Sequence, residues 1–365
     1  MLVLVGPRDF DLAAMEESYE RDEGPRHGYS LLMDRPDTVF VVPADWSDRE
    51  PGRFARLAGR LYGSPSLWTG GQHLASSFRR DDVIVFPGLD LAVTFAASSW
   101  RRGPRRMLVA VDLNLGRKDR TLLWAIRRRV AALLLQLPGR VGDRPSVPQF
   151  DGFDVEPFLG VDVGFYSPDL SLPEAPGLIA TAGLVDRDYA LLAESVDGLD
   201  VSIEICAAAS VAPKDQRSRF PDSAGVPVKV SAGSVRELRD LYRRAELVVV
   251  PLIEGSRGGL TVACEALACG KAVVVTTTND ALRQLAADGV VVGVAAGDAD
   301  AMRGAIVSLR DDSARRAELG RRGREWAERY VANEVAIRHL ADTLQRVGAG
   351  SPTSAQQWST EEKKG

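Results

Sequence analysis

The stretch from Pro251 to Val275, PLIEGSRGGLTVACEALACGKAVVV, constrains the chain most. An apolar run, Glu246 to Leu252, feeds a glycine-rich loop. The loop opens a short helical segment at Leu260, and an apolar strand follows Gly270. Strand, loop, helix and strand in that order predict a parallel βαβ unit. The first N–H groups of a helix have no intrahelical partners and carry partial positive charge, so an anion is favoured at the glycines. Arg257 stands beside those glycines. Glu265 lies about one turn further in, placed to accept hydrogen bonds from hydroxyls. Phosphate at one end and sugar hydroxyls at the other describe a nucleotide-sugar site. The loop is not a Walker A loop, because Glu265 occupies the position before Gly270-Lys271 at which that motif requires glycine.

The same alternation runs through the whole chain. In residues 1–150, strands are predicted at Leu2–Val5, Thr38–Val42, Asp82–Phe86 and Met107–Val111, with a short last one at Val147–Phe150. Helices are predicted at Asp9–Glu20, Pro51–Tyr62, Leu89–Trp100 and Thr121–Leu137. Residues 151–177 hold Pro157, Pro168, Pro173 and Pro176 with little periodicity, the mark of a linker. A second series starts at Leu178, with strands at Leu178–Ala182, Val201–Cys206, Val226–Val230, Leu247–Pro251, Ala272–Val275 and Val290–Val294. Its helices are predicted at Asp188–Val196, Val235–Arg244, Leu260–Ala268, Asp280–Ala287 and Ala299–Leu309, and two more, Ser313–Arg329 and Asn333–Val347, close the series. The expected class is therefore α/β, with two Rossmann-like doubly wound domains facing across a cleft. The boundaries read 1–156 for an acceptor domain, 157–177 for the linker, 178–347 for a donor domain with its closing helices, and 348–365 for a polar tail expected to be disordered.

Composition removes several alternatives. A length of 365 residues exceeds one ordinary core. The formal net charge of −4 supplies no global field for nucleic acid. Cys206, Cys264 and Cys269 form neither a disulfide framework nor a zinc spacing, which suits a reducing cytoplasm. The N-terminal Met-Leu-Val-Leu-Val lacks a basic region and reads as a first strand rather than a signal peptide. No run approaches the roughly 20 apolar residues of a membrane span. No Gly-x-Gly-x-x-Gly follows an early strand, so a nicotinamide cofactor has no anchor.

Four segments resemble the GT-B fold, and within it the retaining enzymes of glycosyltransferase family 4 (glycosyl transferases group 1). They are Pro157–Tyr166, Leu178–Tyr189, Gly233–Pro251 and Gly259–Val274, followed by the pair Gly297-Asp298. The N-terminal half resembles the family only in layout. The resemblance implies transfer of a sugar from a nucleotide diphosphate sugar, of UDP or GDP type, to an acceptor hydroxyl with retention of configuration. It implies a hexosyl donor as co-substrate, no further cofactor and no catalytic metal. Gly258, Gly259, Leu260 and Thr261 would grip the diphosphate, Glu265 the ribose hydroxyls, and Gly183 and Gly233 would line the donor. Arg187 and Arg257 would neutralise charge on the leaving diphosphate.

The chain also departs from that pattern. Gly183-Leu184 stands where the family often has Gly-Arg. Counting back eight from Glu265 reaches Arg257 rather than a second glutamate, and the loop looks lengthened, so Glu254 is the candidate for contacting the donor sugar. No histidine lies near Val111-Asp112. His27, in a polar glycine-bearing loop, is the acceptor-side candidate instead, with His73 a second loop candidate. Asp298-Ala-Asp300 reads as a helix N-cap rather than a metal motif. These departures leave an alternative open: a catalytically silent GT-B homologue that binds a glycan or assists a partner.

Eleven basic residues fall between Arg101 and Arg140 against two acids, Asp112 and Asp119. Leu122, Ile126, Val130, Leu133 and Leu137 recur there at helical spacing, which predicts a buried stripe beneath a basic rim. The rim admits peripheral contact with anionic membrane at the inner face of a cytoplasmic membrane. Exopolysaccharide, glycolipid and small-metabolite glycosylation all fit this reading.

Overall fold

The structure is a computed structural model that describes residues 1–6, 11–28, 30–33, 38–41, 50–60, 62–79, 81–99, 106–111, 116–136, 138, 150–207, 218–221 and 225–347. The chain divides into two compact units. The first comprises Met1–Ala14, His27–Gly160 and the chain from Glu334; the second comprises Met15–Arg26 and Val161–Asn333.

In chain order the first unit holds β1 (Leu2–Val5), the start of α1 (Leu12–Glu20), α2 (Ser30–Met33), β2 (Thr38–Val41), α3 (Arg53–Ala58), α4 (Pro65–Ser77) and β3 (Val83–Phe86). It continues with α5 (Leu89–Ser98), β4 (Arg106–Val111), α6 (Arg117–Ile126), β5 (Val130–Leu135) and β6 (Val155–Pro157). All six strands are parallel, in the order β2-β1-β3-β4-β5-β6. Successive side chains of a strand point to opposite faces. Val3 and Val5 pack with Phe95 and Ala92 of α5, whereas Leu2 and Leu4 pack on the other side with Ile337, Leu340 and Leu344. Both faces are covered, which is why these strands read as continuous apolar runs.

The second unit holds β7 (Leu178–Ala182), α7 (Tyr189–Ser195), β8 (Ser202–Cys206), β9 (Val228–Ser231), α8 (Val235–Arg244), β10 (Leu247–Val250) and α9 (Leu260–Ala268). It ends with β11 (Val273–Thr276), α10 (Asp280–Ala287), β12 (Val292–Val294), α11 (Ala299–Asp311) and α12 (Ser313–Tyr330). Its strands are again all parallel, in the order β12-β11-β10-β7-β8-β9. The strand order reverses between β7 and β10, and in open α/β sheets ligands bind beyond the carboxyl ends of the strands at such a reversal.

Several expectations are corrected. The helix expected over Thr121–Leu137 stops at Ile126; Arg127–Arg129 form a 3-10 turn and Val130–Leu135 are a strand. A short apolar run fits a buried strand as well as a helix face, and the pairing of β5 with both β4 and β6 decides the matter. Helix α4 has no counterpart in the sequence reading, where Gly70-Gly71-Gln72-His73 counts as loop. There Gly71 allows close packing: a Cβ at that position would lie 2.8 Å from the backbone of Thr94 and Phe95. His73 consequently sits inside a helix rather than in a loop. The supposed linker contains β6. Of the last strand expected at Val147–Phe150, residues 147–149 lie outside the described residues, as does the tail from 348.

The closing helix α13 (Asn333–Arg346) packs in the first unit rather than the second. Its apolar residues cover one face of the first sheet. Arg346 also bonds Asp154 at 2.7 Å and pairs with the buried Glu156 of β6. A chain that crosses back cannot be foreseen from helix periodicity alone.

Replacing Gly71 by Val should cost about 1–3 kcal/mol through overpacking. A lower urea midpoint for the first unit's unfolding checks this, and an unchanged midpoint would contradict the close approach of α4 to α5.

Candidate functional site

The reversal point of the second sheet brings together two loops, Gly183–Asp188 after β7 and Pro251–Gly259 after β10. Backbone bonds join them: Ile253 N–H donates to Asp186 O at 3.1 Å, and Asp188 N–H donates to Pro251 O at 3.1 Å. Asp186 reaches this pairing in the left-handed region, with φ at 58°, a conformation Asp tolerates better than most residues.

Arg187 lies across the junction. It is 5% exposed, and its Nε donates to Ala182 O at 2.8 Å while Nη1 donates to Val185 O at 2.9 Å. Gly183, at φ 109°, makes room for it, since a Cβ there would stand 2.4 Å from Arg187 Nη2. On the other side, a Cβ at Gly258 would lie 3.4 Å from Nη1. Burial lowers the affinity of this guanidinium for its proton, partly offset by Tyr189, Tyr242 and Asp186. Among the described residues no carboxylate forms an ion pair with it. A buried cation held mainly by carbonyls, with Asp186 acting on it only from outside ion-pair distance, is costly, and such a perturbed group marks a candidate functional site.

The start of α9 adds to the same charge. Its N-cap, Gly259, is left-handed at φ 95° and provides no side-chain cap. A Cβ at Gly259 would meet Leu252 Cδ1 at 2.9 Å, so both space and conformation require glycine. Helices α7, α8, α10, α11 and α12 are instead capped by Asp188, Ser234, Asn279, Asp298 and Asp312. The free N–H groups of an uncapped helix start attract anions. Gly258 N–H donates to Ser256 Oγ at 3.3 Å, and Asn279 Nδ2 donates to Gly258 O at 3.2 Å, which ties the loop down. Thr261, Glu254 and Arg257 are exposed on this side.

Glu265 sits about 7.5 Å along the axis from Leu260, at 1.5 Å per residue. Its side chain is half-buried, with the carboxylate crowded by protein and an opening to solvent retained. Burial pushes its pKa up to about 7, against hydrogen bonds from Tyr166 and Tyr242 that pull it down. Tyr242 Oη lies 3.4 Å from Glu265 Oε2. Cys206 Sγ stands 4.0 Å from Gly233 O, and burial raises the pKa of its thiol.

The second unit thus brings together Gly183, Arg187, Gly258, Gly259 and Leu260, with Glu265 further along α9; Gly233 packs against Cys206 and Glu237. His27, half-buried in the first unit with its carbonyl accepting from Ser30 N–H, belongs to the other body. Asp298 caps α11 through Ala301 N–H at 2.8 Å. Among the described residues no group of three or more His, Cys, Asp or Glu could hold a metal ion. The sequence reading missed Tyr166 and Tyr242. They carry no role there, and only packing brings their hydroxyls near Glu265.

Residues 194–312 match the family model described as Glycosyl transferases group 1. No curated protein matches the chain. Among solved structures it resembles sucrose-phosphate synthase from Thermosynechococcus elongatus, at 14% identity over 96% of this chain and 99% of that one, with TM-score 0.66. The fold is GT-B. A second GT-B relative is Anabaena HepE solved with UDP-glucose, at 13% identity over 94% and 99% of the two chains and TM-score 0.63. A third is a glycosyltransferase from Rickettsia africae, at 11% identity over 96% and 99% and TM-score 0.62. At these identities the likeness is one of fold.

Gly183→Ala should lower stability by about 1–3 kcal/mol, because it strains a left-handed position and displaces Arg187. Denaturation of the second unit, followed by intrinsic fluorescence, reads the loss; an unaltered transition would argue against the placement of Arg187 across Gly183.

Proposed function

We propose that this chain is a retaining glycosyltransferase that moves a hexosyl group from a UDP- or GDP-linked donor to an acceptor hydroxyl, without a catalytic metal. The observation that carries the reading is the buried Arg187, unpaired with any carboxylate among the described residues and set beside the uncapped start of α9. In this reading the diphosphate lies between Arg187 and the Gly258–Leu260 amides, and Glu265 accepts hydrogen bonds from the ribose hydroxyls. As the bond from the anomeric carbon to the phosphate oxygen breaks, negative charge grows on the leaving diphosphate. Arg187 and the helix start stabilise it there. The departing phosphate oxygen takes the acceptor's proton on the same face of the sugar, which preserves configuration. Such a path needs no pair of glycosidase-type carboxylates. We assign Glu254 to the donor sugar, Arg257 to the leaving diphosphate and His27 to the acceptor.

The match of residues 194–312 to the family model and the UDP-glucose carried by the HepE relative support this reading. A catalytically silent homologue is the second reading, favoured by Arg257 standing where relatives often carry a first glutamate. Calorimetric titration with UDP-glucose and GDP-mannose separates the two. The enzyme reading expects saturable heat with one of them. Glu265→Ala should weaken binding at least tenfold, about 1.4 kcal/mol, whereas Arg187→Ala should mainly lower kcat, by about 100-fold or more. No heat with either nucleotide sugar favours the silent reading.

We also propose that the basic rim touches anionic lipid from the cytoplasmic side. Among the described residues no helix is long and apolar enough to cross a membrane. On α6, Arg117, Arg120 and Trp124 share an exposed stripe that runs on to Arg128, and Arg127 stacks on Trp124 with its Cζ 3.7 Å from the ring centroid. Arg129 is excluded from this role, since it bonds Ala96 O at 2.8 Å and Ser99 Oγ at 2.7 Å. Vesicles of phosphatidylglycerol should sediment the protein at low salt, and Arg117, Arg120 and Arg128 changed together to Ser should abolish that. Equal sedimentation with neutral vesicles would refute the contact.

A further inference from the structure

Glu265 has neighbours that no phosphate or sugar chemistry requires. Tyr166, from the segment before β7, and Tyr242, from α8, are 3% and 0% exposed. Tyr242 Oη lies 3.4 Å from Glu265 Oε2, and the Tyr166 phenol is near enough for it and the carboxyl to shift each other's ionisation. The other titratable groups that face it are thiols: Cys264 and Cys269 on its own helix and Cys206 at the end of β8. Burial holds all three neutral. The nearby cations act elsewhere: Arg187 on Tyr242, and Arg243, Lys271 and Arg324 on Cys269. The carboxylate therefore ionises in a crowded setting whose only direct support, among the described residues, is two neutral hydroxyls.

We propose that Tyr166 and Tyr242 are positioning residues which, by donating from both phenols, hold the Glu265 carboxylate ionised and turned toward the donor's ribose, so that nucleotide-sugar binding responds to pH. The inference rests on the donor-site reading above.

A carboxylate offers about four acceptor positions. Even with both tyrosines donating, two remain for two vicinal hydroxyls. The tyrosines themselves cannot become competing anions at neutral pH, because burial and the adjacent carboxylate push both phenols well above their ordinary range. A ligand hydroxyl adds a further donor to the ionised form, so binding favours ionisation and releases a proton wherever the empty site is still protonated. The sign follows directly. Below the carboxyl's titration the site is protonated and weak; as pH rises through about 7 it ionises and tightens. Removing one phenol removes a bond to the charged form and moves that titration upward.

UDP-glucose suits the test because its esterified phosphates do not titrate near neutrality; GDP-mannose replaces it if that is the donor bound. Calorimetry from pH 6 to 8.5 should show affinity rising about tenfold, with net proton release near pH 7 detected by comparing buffers of different ionisation enthalpy. Tyr242→Phe and Tyr166→Phe keep the ring packing. Each should shift the midpoint upward by up to about one unit and recover toward wild-type affinity at the alkaline end. Glu265→Gln should bind weakly with no pH dependence. A merely structural role for the tyrosines predicts lower affinity at every pH and an unmoved midpoint, and that result overturns the proposal. Flat wild-type binding across the range also overturns it and leaves the donor site standing. No binding of either nucleotide sugar by the wild type defeats the donor reading itself, and the proposal with it.

Discussion

A single guanidinium organises the second unit's functional end. Arg187 lies across Gly183, reaches toward Gly258 and donates to carbonyls of its own loop. Each of these relations demands something of the chain. Gly183 must have no side chain, Asp186 must turn left-handed, and the loops after β7 and β10 must be joined by backbone hydrogen bonds. The sheet reversal between β7 and β10 makes that joining possible, since it places both loops at one carboxyl edge.

Electrostatics then divides the site by depth. Near the loops the field is positive, from a buried cation and a helix start that lacks the side-chain cap found on its neighbours. About a turn and a half further along α9 the character changes to an acceptor, Glu265, set among tyrosines and thiols. A ligand matching both ends must carry negative charge at one end and donate hydroxyls at the other. Nucleotide sugars meet that description.

Much of this was legible in the sequence, and the reasons differ by element. Helices α8, α9 and α10 agree with their expected bounds because each has a clear boundary: Ser234 with Glu237 as a capping box, Gly259 at a left-handed turn, and Asn279 as a cap. The first unit was less legible. Helix α4 escaped the reading because a segment holding Gly70-Gly71 resembles a loop, whereas in the fold Gly71 permits close helix contact. The apolar run Val130–Leu135 matched a helix face and a buried strand equally, and only its two strand neighbours resolve it. Arg129 read as part of a solvated rim, although its hydrogen bonds to Ala96 and Ser99 make it structural.

What the sequence determined by itself was local: where strands and helices start and stop in the second unit, which loop is rich in glycine, and which acid follows it one helical stretch later. Short-range sterics and capping control those features, and they are written in adjacent residues. What only the tertiary structure decided was which distant groups meet. Tyr166 and Tyr242 turn onto Glu265, Arg187 settles between two glycines 75 positions apart (183 and 258), and α13 covers the first sheet rather than the second. Such pairings depend on burial and strand order, which are properties of the folded sheet and carry no signature in any single segment.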